Sequence, residues 1–491
     1  MLPAERRNVV WIAETDPVFA PFTDRRLWVK HSKIEAVGSL LNSARALIVV
    51  QRRGEFGLLQ RVFDESAQNA LDHGVMVIVL MESDFDFDEV RKRQCALLFG
   101  KLIQLEFVSN LNDVAETIAR AIHEVGPSCE TVALTGDLAR ISTVSQFLLR
   151  RAFHDCESIQ VEAIDGGFMS ECALRVHGWL RASQVGPRPM PFFVKAGTLE
   201  EIATERRNYA TYADHYIPFN LRPNLIPERC VSGSGRALIV GDFVEDAISL
   251  RKALRSGQGS SAIFSLFENT LGGFRMQPFT PGSNPTKGLE TFVKYRCWAE
   301  NIRADVAALA KSFGLGQTPS ELQNELVTVA SGISYRSGPY HGDLHAGNVM
   351  VRHRDAIVID LFSAGFGPLT ADPATLEVSL VFDGLPADGD FDAWRSFVDQ
   401  LFVSLPSLRP PIPEAKPTNF SWLYRAVREL RHVLIGLDGV ENEAAVVLAA
   451  YLMRYARLLQ KPVSAPATTS EKRHAYALVI AERLLKAVQG R

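Results

Sequence analysis

Two short apolar runs on either side of a polar turn constrain the fold of this 491-residue sequence more than any other feature. Val349 to Val351 precede the turn Arg352 to Asp355, and Ala356 to Ile359 follow it. This pattern predicts a β-hairpin. Asn348 precedes the first run and Asp360 follows the second, so the hairpin brings both side chains to the same end. Two ligands of one metal ion need that arrangement.

A third polar residue, Asp343, stands five positions before Asn348 in the segment His341-Gly342-Asp343-Leu344-His345-Ala346-Gly347-Asn348. Phosphoryl transfer from a nucleotide needs a group that accepts the proton of the acceptor hydroxyl and groups that hold magnesium beside the phosphates. An Asp, an Asn and a second Asp at this spacing supply those groups. The constellation therefore predicts phosphoryl transfer.

The same segment, His341 to Val349, is similar to the catalytic loop of the aminoglycoside phosphotransferase and choline kinase branch of the protein-kinase-like fold. Ile359-Asp360-Leu361 resembles the metal-binding segment of that branch, with Leu361 in place of the usual aromatic residue. The resemblance covers roughly Ile159 to the C-terminus. It implies ATP and magnesium as cofactors, Asp343 as the base, and Asn348 and Asp360 as metal ligands.

The run that follows, Gly367 to Val378, looks like the kinase-related ternary complex associated domains of bacterial conflict systems. That resemblance implies a role in a multi-component bacterial defence or signalling system. The acceptor would be a hydroxyl of a small molecule or a protein.

A kinase-like small lobe also needs a lysine for the nucleotide phosphates and a glutamate that holds it. Lys195 ends the apolar strand that starts at Phe192, a setting like the lysine strand of kinases. The alternative is a surface lysine that buries its aliphatic stem and keeps its ammonium group in water. The following helix offers Glu205 and, one turn earlier on nearly the same face, Glu201. We prefer Glu205.

Two further segments of the small lobe are candidate nucleotide contacts. The sequence predicts a turn at Gly166 and Gly167, which would either expose backbone N–H groups to phosphates or join two strands as an ordinary hairpin. Asp242 and Phe243 stand where the chain order places the hinge that bonds the adenine edge.

The two histidines of the catalytic segment have a structural interpretation. We expect His341 and His345 to brace the loop through hydrogen bonds, with direct phosphate contact as the alternative.

The N-terminal part alternates β-rich runs with helical patterns. Candidate strands begin near Val9, Ala46, Val75 and Lys101. Continuously apolar strands separated by helices are typical of a parallel sheet covered on both faces, so we predict a Rossmann-like or flavodoxin-like doubly wound α/β domain. Because no Gly-rich fingerprint follows the first strand, a dinucleotide site is disfavoured.

The acidic residues of this part do not complete a recognisable site. Glu14 and Asp16 partly resemble the acidic pocket of a receiver domain, but the strand that begins at Ala46 ends in Gln51-Arg52-Arg53 rather than in a phosphoacceptor Asp. We therefore interpret this part as a regulatory or partner-binding module.

Three domains follow from these patterns: residues 1–155 as the doubly wound domain, 156–248 as the small lobe and 249–491 as the helical large lobe of an α+β kinase-like domain. A strand–helix unit at 131–152 either completes the first sheet or leads into the second domain.

Composition limits the classes of partner and the cellular location that we expect for this protein. The net charge of −3 gives no basic field for nucleic acid or membrane. The six cysteines include no Cys-x-x-Cys pair, and the N-terminus has no apolar core of a signal peptide, so we expect a cytoplasmic protein.

Two other functions use the same residues. A pseudokinase would keep the fold as a nucleotide-binding scaffold without transfer. A two-metal phosphoesterase would share the Gly-Asp and Gly-Asn segments, but Val349 and Met350 stand where its further metal ligands would follow.

Overall fold

A computed structural model describes residues 8–13, 20–25, 27–33, 36–40, 44–52, 54, 56–63, 67, 70, 75–82, 103–124, 132–164, 172–181, 191–233, 236–259, 261–276, 288–297, 299–383, 390–403, 419–435, 441–459 and 461–490. The chain divides into two compact units. The first contains Met1–Arg207 and Asn224–Val244, and the second contains Asn208–Pro223 and Glu245–Arg491.

The first unit contains a five-stranded parallel sheet in the order β2-β1-β3-β4-β5. Its strands are β1 (Asn8–Ile12), β2 (Trp28–His31), β3 (Ala44–Gln51), β4 (Met76–Met81) and β5 (Ile103–Phe107). The helices between them are α1 (Ala20–Thr23), α2 (Val37–Leu40) and α3 (Phe56–Val62), and α4 (Leu111–Glu124) follows β5.

Both faces of this sheet are buried. Leu47 and Val49 of β3 pack in one cluster with Leu59 of α3, whereas Ile48 packs in another cluster with Ile118 of α4. Because successive residues of a strand point to opposite faces, a strand covered on both sides is a continuous apolar run. The strands predicted near Val9, Ala46, Val75 and Lys101 accordingly agree with β1, β3, β4 and β5.

Strand β2 was not predicted. It lies at the edge of the sheet, where Trp28 is 62% exposed and Lys30 and His31 are also exposed. An edge strand buries too little apolar surface to leave a hydrophobic pattern in the sequence. The sequence has a helical pattern from Leu58 to His73, and α3 agrees with its first part; most of residues 64–74 lie outside the described part.

A second sheet in the first unit has the order β10-β11-β9-β8-β7-β6. Its strands are β6 (Ala133–Gly136), β7 (Cys156–Ile164), β8 (Cys172–Leu180), β9 (Phe192–Thr198), β10 (Val231–Gly233) and β11 (Arg236–Asp242). Its helices are α5 (Thr143–Ala152) and α6 (Leu199–Asn208). Neighbouring strands are antiparallel except β6 and β7, which are parallel.

The strand–helix unit whose place the sequence left open belongs to this second sheet. Strand β6 pairs with β7, and Leu148 and Leu149 of α5 belong to the same core cluster as Val194 and Ala196 of β9. The division into three domains stays a prediction, but β6 and α5 join the second sheet although they precede the predicted boundary at residue 155.

The second unit is mostly helical. Its strands are β12 (Ile248–Ser249), β13 (Ser337–Tyr340), β14 (Val349–Arg352), β15 (Asp355–Val358) and β16 (Gly365–Pro368). Its longer helices are α7 (Leu250–Arg255), α8 (Glu290–Cys297), α9 (Ala304–Ser312), α10 (Pro319–Ser331), α11 (Ala371–Phe382), α12 (Phe391–Phe402), α13 (Ser421–Ile435), α14 (Glu441–Arg457) and α15 (Thr469–Val488). Every residue of α11 is buried, so this helix forms the centre of the unit.

Shorter helical turns connect these elements at Val108–Asn110, Leu138–Arg140, Tyr209–Ala213, Asp214–Tyr216, Phe219–Leu221, Pro227–Arg229, Ala262–Phe264, Ser265–Thr270, Gly272–Arg275, Ala299–Asn301 and Leu361–Ser363. In the described part of the chain, no helix is both long and apolar enough to span a membrane.

Candidate active site

The hairpin β14–β15 brings Asn348 and Asp360 to one end, as the sequence predicts. Val349 pairs with Val358, and the N–H of Ile359 donates to the carbonyl oxygen of Asn348 at 3.0 Å. Asp360 follows directly with φ +62°, in the left-handed region that residues other than glycine rarely occupy. Backbone strain of this kind is concentrated at functional sites.

The side chain of Asn348 has a fixed orientation. Its Nδ2 donates to the carbonyl oxygen of Asp343 at 3.0 Å, and the residue is only 6% exposed. Because the amide nitrogen is occupied by the loop, Oδ1 is the end of the amide that can act as a metal ligand. Asp343, Asn348 and Asp360 are thus brought together by one loop and one hairpin.

A buried carboxylate holds the start of the loop. Asp372, in the first turn of α11, accepts hydrogen bonds from the backbone N–H of His341 at 2.7 Å and of Gly342 at 3.1 Å. Burial raises the pKa of Asp372, while the charge of His341 and the two N–H groups oppose that rise. The carboxylate thereby fixes two backbone amides of the segment that carries Asp343.

Glycine is required at position 342. Its φ is +82°, and a Cβ there would lie 2.1 Å from the carbonyl oxygen of Ser363. The loop can pass this close to the segment after Asp360 only without a side chain.

Both histidines of the segment hydrogen-bond within it or to the hairpin. His341 is fully buried, and its Nε2 lies 2.9 Å from the carbonyl oxygen of Ile359. The Nδ1 of His345 accepts from the N–H of Gly347 at 3.0 Å. Burial lowers the pKa of His345, which favours its neutral form. These contacts support the bracing interpretation, which stays a prediction.

Asp343 also forms an ion pair that the sequence did not suggest. The Nη2 of Arg454, on α14, lies 2.9 Å from Asp343 Oδ1. The side chains are 21% and 34% exposed, respectively. Partly exposed pairs of this kind contribute about 1 kcal/mol or less. The contact occupies one carboxylate oxygen of the predicted base.

In the first unit, Lys195 and Glu205 form a buried pair. Lys195 Nζ lies 2.8 Å from Glu205 Oε2, and the side chains are 9% and 2% exposed. Val194 and Ala196 point into the core beneath β9, so the alternation of the strand turns Lys195 to the opposite face.

The alternative partner, Glu201, has a different role. Its Oε2 accepts from the backbone N–H of Thr198 at 3.0 Å, and its own N–H donates to Thr198 Oγ1 at 3.3 Å. This reciprocal arrangement is a capping box at the start of α6. The pattern Thr198-Leu199-Glu200-Glu201 is visible in the sequence, and it would have distinguished the two glutamates.

The structure describes only some of the remaining residues considered as candidate site residues. Gly166 and Gly167 lie outside the described residues, as do Glu14 and Asp16. Asp242 ends β11, and the guanidinium of Arg175 lies 5.0 Å from the centre of the Phe243 ring. The hinge role of Asp242 and Phe243 stays a prediction.

Sequence reasoning assigned no role to Asp372 and did not single out Arg454. The run that contains Asp372 was noticed only for its resemblance, because the amides that it binds are about 30 positions earlier in the chain. Arg454 belongs to a helix whose amphipathic pattern does not show which element it faces, so the sequence carries no signal for its partner.

Comparisons with known proteins agree with the loop geometry. Residues 195–402 match the model described as the phosphotransferase enzyme family, which is less than half of the 491 residues. The comparison with curated proteins gave no match.

Three solved structures illustrate the structural likeness. A thermostable mutant of aminoglycoside phosphotransferase APH(4)-Ia, in a complex with AMP-PNP and hygromycin B, is 12% identical; the match covers 71% of this chain and 100% of that one, with a TM-score of 0.42. Amicoumacin kinase hAmiN, in complex with AMP-PNP, Ca2+ and Ami, is 13% identical; the match covers 66% of this chain and 88% of that one, with a TM-score of 0.36. Aminoglycoside phosphotransferase APH(3'')-Id from Streptomyces rimosus is 16% identical; the match covers 59% of this chain and 98% of that one, with a TM-score of 0.32.

The family match rests on the sequence, and it contains Lys195, Glu205 and the whole catalytic segment. It confirms the predicted resemblance and the prediction of a kinase-type phosphotransferase. Residues 195–402 are therefore similar in sequence to the phosphotransferase enzyme family.

Proposed function

We propose that this protein transfers the γ-phosphoryl group of ATP to a hydroxyl group of a small molecule or a protein. One observation carries the proposal. The register of β14 and β15 brings Asp360 beside Asn348, whose amide nitrogen is bonded to the backbone of Asp343. A base and two metal ligands are thereby held within one rigid loop and hairpin, as phosphoryl transfer requires.

The donor atoms at this end suit magnesium. Magnesium binds one or two protein oxygens and completes its octahedron with phosphate oxygens and water. The Oδ1 of Asn348 and the carboxylate of Asp360 would supply those protein oxygens. When bound, the ion would neutralise charge on the nucleotide phosphates.

The protein side chains then have distinct roles. Asp343 would accept the proton of the acceptor hydroxyl as that oxygen attacks the γ-phosphorus. Lys195 would bind the α- and β-phosphates, and Glu205 would hold its ammonium group in place. Gly166 and Gly167 would contribute backbone N–H groups, and Asp242 and Phe243 the adenine contact.

The N-terminal sheet supports a second part of the proposal. Its strand order, β2-β1-β3-β4-β5, is the flavodoxin-like order of doubly wound folds. We infer a flavodoxin-like partner-binding module, joined to the kinase in a bacterial signalling or conflict system of the cytoplasm. The resemblance of Gly367 to Val378 supports that context.

Transfer of radiolabelled phosphate from ATP tests the function, with magnesium present and absent. We expect Asp343→Asn to lower the rate about 10³-fold, because a positioned base contributes roughly that much. Asp355→Asn, at the first position of β15 in the same hairpin, is the matched control and should retain the rate. If the wild type binds ATP but labels no protein or small molecule, the scaffold alternative replaces the enzyme.

A further inference from the structure

In the second unit, an arginine side chain lies beside Asp343. Arg454 contacts its carboxylate at 2.9 Å. The guanidinium of Arg454 lies 6.0 Å from the centre of the Tyr451 ring, and that of Arg296, on α8, lies 5.8 Å from the same ring centre. Two guanidinium groups therefore lie near one aromatic ring, and one of them contacts the predicted base.

A third arginine extends this cluster. Arg457 follows Arg454 by three positions on α14, so both project from the same helix face. Burial lowers the pKa of Arg457, and the positive charges of Arg454 and Arg296 lower it further. The three side chains, Arg296, Arg454 and Arg457, are thus close enough to repel one another. We call them the arginine cluster.

Although burial opposes the charge of Arg296, that charge is stabilised mainly by tyrosine side chains, which raise its pKa. It is 7% exposed, and among the described residues no carboxylate lies within ion-pairing distance. Its Nη2 donates to the hydroxyl of Tyr340, while its Nε–H has no acceptor in the described part of the chain. Its guanidinium lies over the rings of Phe292, Tyr295, Tyr340 and Tyr451. A buried cation held mainly by rings leaves the field of the cluster positive.

We propose that the acceptor carries an anionic group, a phosphate or a carboxylate, that binds Arg454 and Arg457 while its hydroxyl meets Asp343. This inference rests on the proposed function and names the class of its acceptor. In the transfer, the acceptor oxygen forms a bond to the γ-phosphorus and its proton passes to Asp343. The bond from that phosphorus to the bridging oxygen breaks, and ADP leaves with the electron pair.

The pair between Arg454 and Asp343 is suited to such an exchange. Its side chains are partly exposed and joined through one carboxylate oxygen, so the remaining guanidinium donors can bind a second oxyanion. An acceptor with an anionic group reduces the repulsion within the arginine cluster. A cationic acceptor adds to that repulsion, so the cluster selects against it.

Titration of inorganic phosphate into the full-length protein tests the binding step without any need for catalysis. Arg454→Ala should weaken phosphate binding about tenfold, since a hydrogen bond to a charged group contributes that much. Asp343→Asn should strengthen binding, because it removes a competing carboxylate and releases Arg454. Arg483→Ala is the matched control, since Arg483 pairs with Asp399 on other helices, and it should bind like the wild type.

The results separate this inference from the proposed function. Absence of phosphate binding, or binding that Lys195→Ala abolishes and Arg454→Ala leaves intact, would overturn the anionic acceptor even if transfer occurs. Weakening by Arg454→Ala supports it even if no transfer is seen.

Acceptor preference gives a second measurement. We expect ADP release to be faster with glycerol 3-phosphate or glycerate than with glycerol, and slowest with choline. The faster of the two anionic compounds identifies phosphate or carboxylate as the recognised group. Arg454→Ala should raise KM for that compound about tenfold and leave KM for glycerol unchanged. A preference for choline, or equal KM changes for charged and neutral acceptors, contradicts the inference.

Discussion

The ion pairs of the two units differ in burial. Lys195 and Glu205, in the first unit, are 9% and 2% exposed, whereas Arg454 and Asp343, in the second, are 21% and 34% exposed. A buried pair is costly to break, because the partner that remains is a desolvated charge. A partly exposed pair is stabilised by water when it separates. The first pair therefore fixes a geometry, and the second can change partners.

The largest expected effect comes from breaking the buried pair. Glu205→Ala leaves Lys195 charged and desolvated, so we expect a loss of about 3–5 kcal/mol in the free energy of unfolding. Glu201→Ala removes only the capping box and should cost about 1 kcal/mol. Urea unfolding of both variants measures the difference. Equal losses would show that Glu205 does not stabilise Lys195.

A buried carboxylate that accepts a hydrogen bond from a hydroxyl can be compared with the two ion pairs. Glu443 accepts from Thr370 Oγ1 at 2.6 Å, and burial raises its pKa to about 7. Because the folded state holds this proton more tightly than the unfolded state, its contribution to stability is complete below about pH 4.5 and is lost as the pH rises through 7.

Glu443→Gln mimics the protonated form. We expect the variant to be more stable than the wild type at pH 8, by up to about 3 kcal/mol, and the difference to vanish near pH 4.5. Unfolding free energies across this range provide the measurement. A constant difference between the two proteins would contradict a raised pKa for Glu443.

The smallest effect belongs to the exposed pair. A double-mutant cycle with Asp343→Asn and Arg454→Gln should give a coupling in folding stability of about 1 kcal/mol or less. The coupling should fall further with added salt, since exposed charges are screened. The two regions would not differ if the coupling between Asp343 and Arg454 were as large as that expected for the buried pair of Lys195 and Glu205 and did not fall with salt.

The parts of the site that the sequence predicts are those in which partners are close in the chain. The hairpin follows from two apolar runs around a polar turn, and Lys195 follows from its strand. Asp372 and Arg454 reach the loop from helices about 30 and 111 positions further along. Helical periodicity shows that such a face is buried or polar, but not which element it faces. Edge strand β2 was missed for the opposite reason, since its exposure leaves no hydrophobic pattern.

The hairpin between Asn348 and Asp360 limits how this protein can vary. Its turn exposes His353 and Arg354, so many side chains are tolerated there. Deletion or insertion of one residue, however, would shift β15 by one place against β14 and turn Asp360 to the other face. Homologous sequences that retain the chemistry should therefore differ freely in the identity of these turn residues and keep their number constant.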